Sequence, residues 1–146
     1  MLNNKWLVIK NYWFLLLIML VSNVSFAHQP DLSSIIISKT DNGKIVLQIN
    51  SSLTAFQQEV NYINGEGAYK TPEEFRNLVI KHFKNTFSII LNEKDTLKFI
   101  NPIVILGHET KFVTEISGMP KNINTKKIKN ELFKDIHNNQ SVVMFS

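Results

Sequence analysis

Runs in which apolar and polar residues alternate predict that most of this chain forms β-strands. Residues 32–38 are rich in β-branched side chains, which suit a buried strand better than a helix. Residues 45–53 alternate between apolar and polar positions, and an Asn42-Gly43 pair lies between the two runs. An Asn-Gly pair in this position is the strongest short-range signal for a hairpin. We therefore predict that the two runs form an antiparallel hairpin.

A helix is predicted over residues 72–85, where apolar residues recur at helical spacing. Thr71 is a natural N-cap, Pro72 fits the first helical position, and Glu74 completes a capping box with Thr71. This is the one long helix that the pattern predicts. The preceding residues 55–63 favour one or two helical turns, because three of their apolar side chains share a face.

Alternation with a period of two returns after the helix. Further strands are predicted at residues 87–91, 97–106, 112–116, 123–133 and 141–145. Pro102 predicts that its strand lies at a sheet edge or is bulged. Five lysines between Lys121 and Lys134 predict an exposed edge that is protected from pairing with another chain. About seven short strands in roughly 120 residues are typical of β-sandwiches, so we predict a mainly β fold, an immunoglobulin-like β-sandwich with one helix.

The first 27 residues have the pattern of a secretory signal peptide. Two lysines are followed by ten uncharged, mainly apolar residues at 12–21, and small residues precede a cleavage position after Ala27. The alternatives are an uncleaved interfacial segment or a membrane anchor, but a spanning helix needs about 20 apolar residues. We therefore predict a signal peptide over residues 1–27 and a single domain over residues 28–146. The protein would be periplasmic or extracellular, with no stable transmembrane span after cleavage.

The amino-acid composition excludes several kinds of site and partner. The chain has 146 residues and no cysteine, which excludes a disulfide framework, a thiolate zinc site, an iron–sulfur cluster and a thiol nucleophile. Cleavage after Ala27 removes two of the 16 basic residues and none of the 12 acidic residues, which leaves a net charge of +2. So weak a charge predicts no nucleic-acid partner.

The sequence contains no recognisable catalytic motif. His108 and Glu109 begin the H-E-x-x-H pattern of zinc proteases, but Phe112 stands where the second histidine is required. No serine lies in a G-x-S-x-G motif. Glu73 and Glu74 are explained by their place in the first helical turn, where acidic residues are stabilised by the helix dipole. We therefore predict that the protein is not an enzyme.

Removal of the signal peptide makes His28 the N-terminal residue. Its free amine and a ring nitrogen could hold one metal ion, and a second histidine would complete an N₃ site suited to Cu(II). On this hypothesis the cofactor is copper and the metal residues are His28, His108 and His137. The alternative is that His28 lies on a loose terminus and binds nothing. His82 lies on the apolar face of the predicted helix, where we expect it to pack and to bond to a backbone carbonyl.

Five stretches of the chain carry a resemblance: residues 27–34, 47–49, 52–56, 69–75 and 105–110. In these stretches the chain resembles uncharacterised exported proteins of Bacteroidetes-type bacteria, a domain of unknown function. The resemblance covers nearly all of the mature chain and implies export, but no activity and no catalytic residues. Such proteins continue past the strand that ends near Phe145, which implies that this domain lacks C-terminal strands.

The start of the mature chain is also similar to periplasmic copper carriers of the copper-resistance type. Those small β-sandwiches begin with a histidine after signal cleavage, as His28 does here ahead of residues 32–34. Their methionine-rich segment has no counterpart, because Met119 and Met144 are the only methionines after residue 27. The similarity therefore implies a Cu(II) site at His28 and no Cu(I) thioether site.

Two functions follow from the sequence. The favoured one is a non-enzymatic exported module that binds a protein, a glycan or an envelope component through loops of the sandwich. The alternative is a periplasmic copper-binding protein that uses His28 with His108 or His137.

Overall fold

The computed structural model of the chain describes residues 32–136 and 139–146, and this part is mainly β. Its elements in chain order are β1 (Leu32–Lys39), β2 (Ile45–Ser52), α1 (Leu53–Asn64), α2 (Pro72–Thr86), β3 (Phe87–Leu91), β4 (Asp95–Thr96), β5 (Lys98–Ile105), β6 (Glu109–Ser117), β7 (Lys126–Asn130) and β8 (Gln140–Phe145). Neither helix in this part is long and apolar enough to cross a membrane.

The strands form two sheets. The larger has five strands in the order β5-β6-β2-β1-β8, in which neighbours are antiparallel except for the parallel pair β1 and β8. The smaller has three antiparallel strands in the order β4-β3-β7. Two sheets in a mainly β chain agree with the predicted β-sandwich at this level of description.

The predicted hairpin is confirmed in β1 and β2. Ile37 lies opposite Leu47 and Ile35 lies opposite Ile49, so that four apolar residues occupy one face of the sheet. Gly43 has a φ of 80°, which an L-residue with a side chain rarely adopts, and it closes the turn between the strands. All four of the apolar residues are buried.

The prediction of a single long helix is wrong, because α1 runs for 12 residues where one or two turns were expected. Ser52 caps it by accepting a hydrogen bond from the Ala55 N–H, at 3.0 Å. The face that carries Phe56 and Val60 is buried, and tertiary burial of this kind extends helices that local propensity leaves short. The predicted capping box of α2 is confirmed, with Thr71 and Glu74 each accepting from the other's backbone N–H.

The core lies between the inner face of the larger sheet and a second layer that consists of the two helices and the smaller sheet. Phe83 of α2 is central to it. Its ring centroid lies 4.0 Å from that of Phe112 on β6, 5.1 Å from that of Phe87 and 5.0 Å from that of Phe99. These aromatic contacts with residues from three strands join the second layer to the larger sheet, and no disulfide contributes because the chain has no cysteine.

Candidate functional site

Three of the four sheet edges have features that prevent pairing with another chain. At one edge of the larger sheet, β5 contains Pro102, and the register with β6 shifts between Ile100 and Ile103. Asn101 within this bulge has a φ of 52°. A proline and a bulge both interrupt the row of backbone donors that an incoming strand needs. The prediction of a bulged edge strand at Pro102 is confirmed.

The two edges of the smaller sheet are protected in other ways. β4 is only two residues long. β7 carries Lys126, Lys127 and Lys129, which are all exposed, and edge lysines discourage pairing with another strand. The predicted lysine-bearing edge is therefore confirmed, although β7 is shorter than the predicted strand over residues 123–133. It ends where the Asn130 side chain accepts from the Leu132 N–H, at 3.1 Å, in a turn that competes with the sheet.

β8 is the fourth edge, and it has none of these features. Its six residues include no charged residue and no proline, and each of them is exposed. Val142, Val143, Met144 and Phe145 are 49%, 39%, 42% and 57% exposed, respectively. Among the strands that the structure describes, β8 pairs only with β1. A long, uncharged, apolar edge of this kind is a template for strand addition.

The hydrogen bonds between β1 and the end of β8 show which backbone groups of β8 point towards β1 and which point towards the free edge. The Ser146 N–H donates to the Ile37 carbonyl at 3.0 Å, and the Ser146 carbonyl accepts from the Lys39 N–H at 3.3 Å. Backbone groups alternate in direction along a strand, so Met144 also bonds towards β1. Val143 and Phe145 therefore direct their N–H and carbonyl groups towards the free edge.

The side chains of the same two residues point inward. Val143 pairs with Ile35 and Phe145 pairs with Ile37, and both of those partners are buried in the core. Paired residues share a face of the sheet, so Val143 and Phe145 lie on the inner face. They are exposed because the second layer does not extend over them.

β7 borders this opening from the second layer, and we call the space between the two edges the β7–β8 seam. At one end of the seam the Asn130 amide nitrogen lies 3.4 Å from the Ser141 hydroxyl. At the other end the Lys126 ammonium lies 4.9 Å from the centroid of the Phe145 ring. The seam is therefore polar at the Asn130 end. At the other end, the aromatic ring of Phe145 lies beside the positively charged ammonium of Lys126.

A cavity of about 80 Å³ lies beside the Lys126 end of the seam, since Lys126 and Phe145 are among its lining residues. Apolar side chains from both sheets line it, among them Ile37, Ile116 and Ile128. An apolar cavity of about 150 Å³ holds a benzene molecule, so the space here is suited to a single aliphatic side chain. The seam thus combines unpaired backbone groups, one small apolar pocket and one exposed ammonium.

A second polar feature lies inside the molecule, where Glu59 of α1 contacts His82 of α2. Glu59 is 3% exposed, and its Oε1 atom lies 2.7 Å from His82 Nε2 and accepts from the Phe133 N–H at 2.9 Å. A carboxylate can only accept hydrogen bonds, so we assign Nε2 of His82 as the donor in this contact. The expectation that His82 packs against the core is confirmed, but its partner is a carboxylate and not a backbone carbonyl. Backbone carbonyls in a helix already bond within the helix, which leaves the facing side chain as the partner.

The Glu59–His82 pair has a structural role. It joins two helices to the turn at Phe133, a buried residue with a φ of 60°. In residues 32–136 and 139–146, no three histidine, aspartate or glutamate side chains lie close enough together to hold a metal ion. The pair therefore anchors the turn at Phe133 to the two helices.

The predicted copper residues are only partly within the described part of the chain. His108 is exposed in the turn between β5 and β6, and its carbonyl accepts from the Leu53 N–H at 3.2 Å. His28 and His137 lie outside the described residues, as does the predicted signal peptide. Leu32, where β1 begins, and Glu109, where β6 begins, lie at the same end of the larger sheet, on either side of Ser52. His108 is therefore at the end of the larger sheet where β1 begins.

Two features of the structure were not predicted from the sequence. Glu59 could have been found, because it lies three residues after Phe56 and shares the apolar face of α1, where an acidic residue must have a partner. The open edge at β8 could have been found by comparing the predicted strands with one another, because residues 140–145 lack the charges that residues 126–129 carry.

Comparison of the chain with protein-family models and with curated proteins gave no match. The functional argument therefore rests on the geometry of the described residues.

Proposed function

We propose that the protein is a non-enzymatic exported binding module that takes up an extended polypeptide segment as an additional strand along β8. The observation that carries the proposal is the edge of β8, the one edge in the described residues with no charge, proline or bulge. Strand addition of this kind derives its affinity from backbone hydrogen bonds and its specificity from side-chain pockets.

The seam supports both parts of this binding mode. Val143 and Phe145 present donors and acceptors to the free edge, and the neighbouring cavity of about 80 Å³ accepts one apolar side chain. The inward side chains of an added strand would also pack beside Val143 and Phe145, which are 39% and 57% exposed. Burial of apolar surface and pairing of backbone groups would thus occur together.

The remaining parts of the proposal come from the sequence. The pattern of residues 1–27 supports export. The presence of two sheets is compatible with the finer assignment to an immunoglobulin-like sandwich, a scaffold whose loops bind partners in antibody variable domains. Copper binding through His28 stays a separate hypothesis, which is tested by metal titration below.

The experiment measures binding of a short fluorescein-labelled peptide, in which valine and threonine alternate, by fluorescence anisotropy with the purified exported chain. We expect saturable binding that is weakened about tenfold or more in Val143→Pro, because proline removes the outward N–H but no bond to β1. Val143→Thr is the matched control, since it keeps that N–H and the side-chain shape, and we expect it to bind as the wild type does. Equal binding by Val143→Pro and wild type, or no saturable binding to the wild type, would show that β8 is not the binding edge.

A further inference from the structure

We infer that the segment taken up by β8 is an acidic one, with an apolar residue and an acidic residue two positions apart on its inward face. This inference rests on the proposed function and specifies the partner of the same site. The argument uses the side chains of β7 that face the seam and the charge balance around them.

The register of the smaller sheet decides which β7 side chains face the seam. Ile128 pairs with Ile89 and Lys126 pairs with Leu91, and both partners are buried in the core. Ile128 and Lys126 therefore point inward, whereas Lys127 points to the outer face of the smaller sheet. An inward side chain of an added strand would meet Ile128 near the middle of the seam and Lys126 near Phe145.

Lys126 is the charged group of the seam, and the described residues place no carboxylate within 4.0 Å of its ammonium. Its neighbour is the face of the Phe145 ring, at 4.9 Å from the ring centroid, and Lys126 is an exposed residue. A carboxylate that arrives on an added strand would pair with it. Successive inward side chains of a strand are two residues apart, so an apolar residue beside Ile128 and an acidic residue beside Lys126 have that spacing.

Charge also decides between an acidic partner and a second copy of this chain. Pairing β8 with another β8 would place two β7 strands side by side. Lys129 is paired with Glu131, but the described residues place no carboxylate within 4.0 Å of Lys126 or Lys127. Like charges brought together in this way oppose association. An acidic segment of another polypeptide would form hydrogen bonds with the same edge without that repulsion.

Three labelled peptides test the inference, identical except for glutamate, glutamine or lysine two positions from a valine. We expect the glutamate peptide to bind the wild type about threefold more tightly than the glutamine peptide, the size typical of one exposed ion pair, and the lysine peptide to bind most weakly. Lys126→Met should abolish these differences, so that the glutamate and glutamine peptides bind the variant with equal affinity. Lys127→Met, which removes an equal charge from the other face of β7, should preserve them.

The outcomes separate this inference from the proposed function. If the three peptides bind equally and Val143→Pro abolishes their binding, β8 is the binding edge but the acidic preference is refuted. If no peptide shows binding that depends on Val143, both ideas fail. A concentration-dependent dimer in analytical ultracentrifugation that Val143→Pro abolishes would identify a second copy as the occupant and overturn the inference.

Discussion

Removing either member of the Glu59–His82 pair should destabilise the fold by several times the effect of an ordinary surface change. Glu59→Ala leaves two donors, the Phe133 N–H and His82 Nε2, without the acceptor that lies 2.9 and 2.7 Å from them. Hydrogen bonds to a charged group contribute about 1.5–3 kcal/mol each. Breaking a buried pair by deleting one partner destabilises by about 3–5 kcal/mol. His82 is 12% exposed in its side chain, so the lower end, about 3 kcal/mol, is expected.

Glu59→Gln separates charge from shape. The amide oxygen of glutamine can still accept both hydrogen bonds, but each becomes a neutral one, worth about 1 kcal/mol. The amide NH₂ replaces Oε2, an atom for which the described residues offer no hydrogen-bond partner. We therefore expect a loss of about 2 kcal/mol, smaller than the loss in Glu59→Ala, out of a total stability of about 5–15 kcal/mol.

Urea-induced unfolding followed by far-UV circular dichroism measures these changes by linear extrapolation. Gln58→Ala, an exposed neighbour on the same helix, should stay within about 0.5 kcal/mol of the wild type. The double variant Glu59→Ala/His82→Ala should be at least 1 kcal/mol more stable than the sum of the two single changes indicates, because the two residues share one interaction. Additivity within about 0.5 kcal/mol would refute the coupling, and a loss below about 0.5 kcal/mol in Glu59→Gln would refute the role of the charge.

Three further predictions concern the helix cap, the signal peptide and copper. Thr71→Ala should lower the free energy of unfolding by about 1 kcal/mol and Thr71→Ser should restore most of it, whereas equal stability of the two variants would contradict the capping role. Mass spectrometry of the exported protein should give a chain that begins at His28, and a chain that retains residues 1–27 would contradict cleavage after Ala27. Calorimetric titration with Cu(II) should give one site that is lost in His28→Ala, and equal titration of both proteins would end the copper hypothesis.

Features that depend on neighbours in sequence were predicted well. The hairpin turn at Asn42 and Gly43 and the capping box at Thr71 and Glu74 each involve residues within four positions of one another. Both partners of each contact therefore lie in the same short stretch of sequence, where a local pattern can show them. Pro102 predicted an edge or a bulge because its missing N–H excludes a central strand whatever the rest of the fold does.

Features that depend on contacts between distant residues were not predicted. Glu59 and His82 are 23 residues apart, and only the packing of α1 against α2 shows that they meet. β8 pairs with β1 across more than 100 residues, and nothing local indicates that this pair is parallel or that it leaves β8 at an edge. The length of α1 was missed for the same reason, since burial against the core stabilises the turns that propensity alone does not.

The internal anchor and the candidate binding edge are connected, because the segment between β7 and β8 is held by the helices. The Glu131 N–H donates to the Thr86 carbonyl at 3.1 Å, and two residues later the Phe133 N–H donates to Glu59 at 2.9 Å. These bonds fix the chain just after β7 ends, while the pairing with β1 fixes β8 itself. The width of the seam is therefore set by residues that do not line it. A pocket for one side chain requires such rigid support, since a shift of about 1 Å in either edge would close the space or open it to water.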